Sequence, residues 1–394
     1  MATKVLTLNQ ISVKGLERLP RDCYEIASEF AHPDAILLRS HQLKAEDIAD
    51  SVLAIGRAGA GVNNIPVEEC TRRGIPVFNS PGANANAVKE LVATALLLGS
   101  RGIVEGIRYV DTLGDIQDKA ELNRVLEAQK KQFKGNELVG KTLGVVGLGA
   151  IGSMVAEMAL TMGMEVIGYD PALSVEAAWR LSSKVRKADT LSALFARSDY
   201  ISLHLPVLDA TRGLINAELL GVMQADSCLL NFARQEIVNE EDLLEALSAG
   251  KLRTYIADFP SPALIGRDDV ILMPHIGAST QEAEENCAIM AADQLRDFLE
   301  NGNIRNSVNF PALQLERVSG CRLSVSNENV PRILGGVLAI LADQNINVID
   351  MLNKSRDGVA YNLIDIESHA ADEVLEQMRQ LEGVINVRLI GDCA

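Results

Sequence analysis

"LGVVGLGAIGSMVAEMALTMGMEVIGYDP" occupies Leu143 to Pro171 and decides how the chain is read. An apolar run gives way to a turn punctuated by Gly147, Gly149 and Gly152. A helical stretch follows, and "EVIGYD" closes as a second strand on Asp170, 18 residues after the third glycine. The bare G-x-G-x-x-G spacing is a weak signal. Its flanks carry the argument, because a strand leads in and a helix leads out. Glycines there let the backbone turn sharply and approach a pyrophosphate at the helix N-terminus, where unpaired N–H groups and the helix dipole favour negative charge. An acid ending the next strand hydrogen-bonds ribose hydroxyls and repels a 2′-phosphate, so the expected cofactor is NAD rather than NADP. The competing reading is a glycine-rich turn in an α/β domain that binds nothing.

Working outward, short apolar runs bounded by turns predict further buried strands at "AILLRS", "SVLAIGRAG" and "IPVFNSP". "NANAVKELVATALLLGS" predicts a long helix, and residues 101–140 read as polar and helical, with a basic run at Lys130, Lys131 and Lys134. After the glycine turn, "YISLHLP", "CLLNFAR", "TYIADF" and "VILMPHIG" alternate with helical stretches, the pattern of a doubly wound parallel sheet. "NGNIRNSVNFP", from Asn301 to Pro311, reads as a linker. Residues 318–394 have the order β-α-β-β-α-β of a ferredoxin-like unit, with a hairpin at Asp357-Gly358. The expected division is therefore a substrate domain of residues 1–98 and 278–310, a cofactor domain of residues 99–277, and a C-terminal unit of residues 318–394.

Composition narrows the function. The 394 residues are too many for one ordinary core. A net charge of −16 repels nucleic acid, and no apolar run is long enough to span a bilayer, so neither nucleic acid nor membrane is an expected partner. The N-terminal "MATKVLTLNQISV" reads as a strand rather than a signal peptide. Six scattered cysteines without a C-x-x-C pair point to a reducing, cytoplasmic setting and to no metal site. An anionic substrate would need a local basic pocket in so acidic a protein. "LLRSHQ" offers Arg39 and Ser40, "IGRAGAGVNN" offers Arg57 and the turn Ala58-Gly59, and "CTRRG" offers Arg72 and Arg73.

Several of these motifs together resemble the D-isomer-specific 2-hydroxyacid dehydrogenases. They are "SLHLPVLDATRGLIN", "LLNFAR", "PHIGAST" and the upstream "GRAGAGVNNIPVEECTRRGIPVFNSPGANANAVKEL", in the family's order. The C-terminal unit resembles an ACT domain. The fold class that the resemblance implies is α/β. A Rossmann-like cofactor domain is inserted in a flavodoxin-like substrate domain, followed by the ferredoxin-like α+β unit. The reaction implied is hydride transfer from 3-phosphoglycerate to NAD, giving 3-phosphohydroxypyruvate. Arg234 would hold the substrate carboxylate in two-point contact, and His275 would exchange the hydroxyl proton. Asp258 would contact the nicotinamide or serve His275.

The resemblance also carries cofactor contacts onto Ala150, Ile151, His204, Pro206, Ala233, Asp258, His275 and Gly277. Substrate contacts fall on Arg39, Ser40, Arg57, Ala58, Gly59, Arg73 and Asn84. Contacts to a serine effector fall on Asn327, Asn329 and Asn347, and a homo-oligomer, dimer or tetramer, is implied. The sequence departs from the family where "IADFPSPALIG" places Ser261, Pro262 and Ala263 at the position of a Glu that orients the histidine. Glu90 and Asp268 are other candidate carboxylates, and His204 is the alternative histidine. A dehydrogenase for another 2-hydroxy acid and an NAD-sensing corepressor are the competing functions.

Overall fold

The computed structural model describes residues 2–318 and 320–391. They form two units: residues 2–84 with 281–391, and residues 85–280 between them in sequence.

In the first unit, β1 (Thr3–Leu8), β2 (Tyr24–Ala27), β3 (Ala35–Leu38), β4 (Ala54–Arg57) and β5 (Val77–Phe78) make a parallel sheet of order β2-β1-β3-β4-β5. This is the flavodoxin-like order expected from the sequence. All four residues of β3 are buried, because a parallel sheet is covered on both faces. Ala288, Ala291 and Leu295 of the helix Gln281–Asn301 cluster with Val5, Leu37 and Phe78, while Leu43, Val52, Cys70 and Ile75 cluster with Ile36 and Ile55.

The second unit carries β6 (Thr142–Val146), β7 (Glu165–Tyr169), β8 (Arg186–Lys187), β9 (Tyr200–Leu203), β10 (Cys228–Asn231), β11 (Thr254–Ala257) and β12 (Val270–Leu272). Their order, β12-β11-β10-β9-β6-β7-β8, reverses direction between β6 and β9. Ligands of open α/β sheets bind outside the carboxyl ends of the strands at such a switch point. The helix Ala85–Ser100 belongs to this unit, so the boundary falls at Ala85 and not at Leu98. Val92, Ala95 and Leu96 cluster with Val145, Ala156 and Leu230, and that apolar face decides its allegiance.

The C-terminal sheet is antiparallel, with β13 (Cys321–Glu328), β14 (Val348–Arg356), β15 (Val359–Ile366) and β16 (Val384–Ile390) in the order β14-β15-β13-β16. Asp357, at φ 53°, turns the hairpin between β14 and β15. The stretch read as a linker is instead packed down: Ile304 and Phe310 are buried, and Asn309 accepts from Val77 N and donates to Ile75 O. Its apolar side chains complete the core of the first unit.

Arg322 of β13 is fully buried, and its guanidinium grips Asp365 of β15 in two contacts of 2.6 and 2.8 Å. Its other N–H groups donate to Asn301, Leu315 and Glu316 carbonyls, which joins the sheet to the helix end and the packed segment. Asp365→Ala leaves that cation uncompensated and should cost about 3–5 kcal/mol of unfolding free energy. Replacing both partners with Arg322→Met and Asp365→Leu should cost less than the single change, as read from urea denaturation midpoints.

Candidate active site

The glycine turn sits between the end of β6 and the helix Ala150–Thr161. Gly147 has φ 89°, and a Cβ there would stand 2.5 Å from the carbonyl oxygen of His204, just past β9. A Cβ on Gly152 would stand 1.8 Å from the Gly147 oxygen, so helix and strand pack only without one. Gly149 differs: nothing lies within 4 Å of where its Cβ would be, and no side chain caps the helix there. The amides of Ala150 and Ile151 thus begin a helix whose N-terminus is left to an anion. Asp170 is held at the rim of this turn by Leu148 N at 2.8 Å and Ala172 N at 2.9 Å. An open backbone approach, an uncapped helix start and a fixed carboxylate fit a dinucleotide. Pro206 and Ala233 stand beyond the ends of β9 and β10, on the same edge of the sheet.

Two more turns at the carboxyl edge carry the candidate chemical groups. Arg234 follows β10, is exposed, and folds its Nη1 onto the Ala233 carbonyl at 2.7 Å. His275 follows β12 in the left-handed region at φ 57°. Asp258, almost wholly buried at the end of β11, accepts from Ile276 N at 2.8 Å and Gly277 N at 2.6 Å. The carboxylate therefore grips the main chain of the histidine turn. A Cβ on Gly277 would stand 2.9 Å from Asp258 Oδ2, which is why the turn needs glycine there. The His275 ring lies against Phe259, centroids 5.0 Å apart and tilted at 59°. Glu90 accepts from Asn86 on its own helix, so it is engaged locally. Arg267 grips Asp269 rather than Asp268.

The alternative histidine is unsuited to proton transfer. Burial pushes His204 down to about 3, Ser202 Oγ lies 2.8 Å from its Nε2, and its Nδ1 is buried without a partner. It stays neutral through the physiological range.

In the first unit, Arg39 and Ser40 follow β3, and Arg57, Ala58 and Gly59 close and follow β4, its neighbour. Arg57 Nε and Asn64 Nδ2 both donate to the Arg39 carbonyl, which ties the two loops together. Ser80 N donates to Gly59 O, and Asn84 lies four residues on, before the helix at Ala85. Arg39 itself pairs with Glu284 at 2.8 Å. Arg73 departs from the expectation. It ends the helix Val67–Arg72, which runs back to the opposite edge of the sheet, and its guanidinium donates to Ile48 and Ala49 carbonyls at 2.8 and 2.9 Å. Asn64 and Ser80, which hold these loops, and Asn79, which donates to the Ala60 carbonyl at 2.6 Å, carried no sequence expectation. The asparagines beside "GRAGAG" and after "IPVF" were the available signal.

Of the C-terminal asparagines, Asn329 and Asn347 are exposed. Asn327 is buried, with its amide engaged by Asn362 and the Glu328 carbonyl. Among the described residues, no group of three or more His, Cys, Asp or Glu could hold a metal ion, and no helix is long and apolar enough to cross a membrane.

A family model described as the NAD binding domain of D-isomer specific 2-hydroxyacid dehydrogenases matches residues 106–277. The D-3-phosphoglycerate dehydrogenase of Haemophilus influenzae is 33% identical over 366 residues, 89% of this chain and 85% of its own length. That of Methanocaldococcus jannaschii is 34% identical over 337 residues, and the match spans only 61% of that longer relative. Among solved structures, a 3-phosphoglycerate dehydrogenase of Entamoeba histolytica with NAD+ bound shares 28% identity at a TM-score of 0.62, covering 79% of this chain and all of its own. D-mandelate dehydrogenase of Rhodotorula graminis, at 24% identity and a TM-score of 0.68, shares the fold.

Gly149→Ala should leave stability within about 1 kcal/mol, since the added methyl meets no protein atom. NADH affinity should fall about tenfold or more, because the methyl occupies the approach to the helix start. A fluorescence titration of NADH set beside a denaturation curve separates the two effects. For His204 the sign follows from its two states. The unfolded imidazole takes a proton near 6.5 and the folded one only near 3. Its neutral burial therefore leaves stability complete above 6.5, and stability falls by up to about 1.4 kcal/mol per pH unit as pH drops toward 3. His204→Gln should flatten that decline in urea midpoints taken between pH 7.5 and about 5.

Proposed function

The chain belongs to the D-isomer specific 2-hydroxyacid dehydrogenases, and from that premise we propose that it oxidises 3-phosphoglycerate to 3-phosphohydroxypyruvate with NAD. The observation that carries the proposal is the pair of strand-end turns bearing Arg234 and His275 beside an uncapped dinucleotide turn on one sheet edge. Arg234 releases the Ala233 carbonyl and takes the substrate carboxylate in its planar fork, which holds C2 for reaction. His275 accepts the C2 hydroxyl proton during oxidation and returns it during reduction. NAD, when bound, supplies the hydride acceptor. Gly149, Ala150 and Ile151 offer amides to its pyrophosphate, Asp170 meets its ribose hydroxyls, and His204, Pro206, Ala233 and Gly277 line its path with backbone.

The phosphate is assigned to Arg57, with the amides of Ala58 and Gly59 beside it and with Ser40 and Asn84 on neighbouring loops. Arg39 is secondary, because it already answers Glu284. Arg73 is left out, since its guanidinium holds two carbonyls at the far edge of the sheet.

We extend the reading to a cytoplasmic homo-oligomer. The helix Ile103–Asp111 has no buried residue and exposes Ile107 and Val110, an apolar stripe suited to a second copy. Serine is assigned as an effector to the C-terminal unit at Asn329 and Asn347. Asn327 shapes the sheet beneath them through Asn362.

The test is absorbance at 340 nm with NAD and NADP against phosphorylated and unphosphorylated 2-hydroxy acids. Turnover of 3-phosphoglycerate with NAD supports the proposal, and turnover confined to an unphosphorylated acid removes it. Arg57→Ala should weaken 3-phosphohydroxypyruvate by about tenfold or more in KM, the loss of a charge-assisted hydrogen bond, and leave hydroxypyruvate nearly unchanged.

A further inference from the structure

We propose that Asn231 and Tyr255 form a buried pair that positions Arg234, a role resting on the reading of Arg234 as the carboxylate holder. Asn231 is the last residue of β10 and has no exposed surface. Its Oδ1 accepts from Ala233 N at 3.1 Å. That contact fixes the orientation of the amide, so Nδ2 faces the other way. There it donates to the Arg234 carbonyl at 2.9 Å and to the Tyr255 hydroxyl at 3.2 Å. One side chain thus pins the main chain just before Arg234 and just after it.

Tyr255 anchors this clamp. It lies on β11, where Leu229 pairs with Tyr255 and Asn231 with Ala257. Residues two apart share a face of a sheet, so Tyr255 and Asn231 meet diagonally on one face. Tyr255 is 3% exposed, and burial pushes its phenol up, so it stays protonated and can accept the amide hydrogen. Removing its hydroxyl would leave a buried N–H without a partner and weaken the hold on an amide that then rests on its two main-chain bonds alone.

The functional consequence comes from leverage. Arg234 is extended, at φ −158° and ψ 155°, and its fork lies at the end of a long side chain. A tilt of about 10° at its Cα moves the fork by roughly 1 Å, a displacement that costs on the order of a hundredfold in rate. The exposed arginine has few contacts of its own to prevent this. The buried amide prevents it through the backbone.

The experiment is a double-mutant cycle on reduction of 3-phosphohydroxypyruvate. Asn231→Ala and Tyr255→Phe are each made alone and combined with Arg234→Lys. Alone, Asn231→Ala should lower kcat/KM by about thirtyfold and Tyr255→Phe by about fivefold, with NADH affinity within about twofold. In the Arg234→Lys background each should cost less than about twofold, because a group that acts through Arg234 has nothing left to position. Losses that multiply in that background, or NADH affinity that falls in step with turnover, would overturn the inference. Should Asn231→Ala fail to fold, Tyr255→Phe carries the same comparison. If Arg234→Lys alone keeps full turnover, the assignment of Arg234 itself falls. If it loses turnover while the other losses multiply, only the roles of Asn231 and Tyr255 are removed.

Discussion

One carboxylate accepting two backbone amides sets the geometry of the site. Asp258 is buried at the end of β11, and its oxygens take up the N–H groups of Ile276 and Gly277. Hydrogen bonds to a charged acceptor are short and strong, so the chain leaving β12 is drawn tightly under the end of its neighbour. His275 is left at the apex in a left-handed conformation that a residue with a Cβ rarely adopts. Such strain, of order 1–3 kcal/mol, persists only where the surroundings over-determine it. Asn231 does for the arginine turn what Asp258 does for the histidine turn. In both, an exposed candidate side chain is aimed by a buried polar one that grips the main chain beside it.

The same economy governs charge. The protein carries a net −16, yet the carboxylate, phosphate and pyrophosphate assigned to its sites are all anions. At physiological salt the surface field decays over about 8 Å, so the local donors decide the outcome. Those donors are the uncapped helix start at Gly149, the loop amides after β4, and two arginines. Arginine suits an acidic protein, because its charge persists at any working pH and its fork reads the shape of a carboxylate. Arg73 shows that charge alone does not make a site. It lies within a short segment of Arg57 in sequence, but a crossover helix carries it to the opposite edge of a parallel sheet, where it holds two carbonyls.

What could be read in the sequence follows from how local each constraint is. The glycine turn was legible because its three glycines fall within six residues and its acid ends the next strand. The two parallel sheets and the C-terminal β-α-β-β-α-β order were legible from strand and helix periodicity. Asp258 was named, but its work was not, since its partners are amides 18 and 19 residues away and an amide has no sequence signature. Asn231 passed as part of a strand for the same reason. The stretch from Asn301 to Pro311 was misread because its asparagines look like a loop. They are polar only at their tips, and Ile304 and Phe310 beside them are core.

The absent glutamate takes its meaning from the same accounting. Asp258 puts both its oxygens to the turn, one on the Ile276 amide and one on the Gly277 amide. The His275 ring lies against Phe259. A carboxylate partner does two things for a catalytic histidine: it orients the ring and it fixes which nitrogen holds the proton. Here the first task passes to an aromatic neighbour and to a backbone locked from below. Under the proposed function, the second falls to the substrate, whose hydroxyl or carbonyl would meet the ring. On the proposed reading, the histidine is thus placed by its aromatic neighbour and by main-chain hydrogen bonds of the residues that follow it.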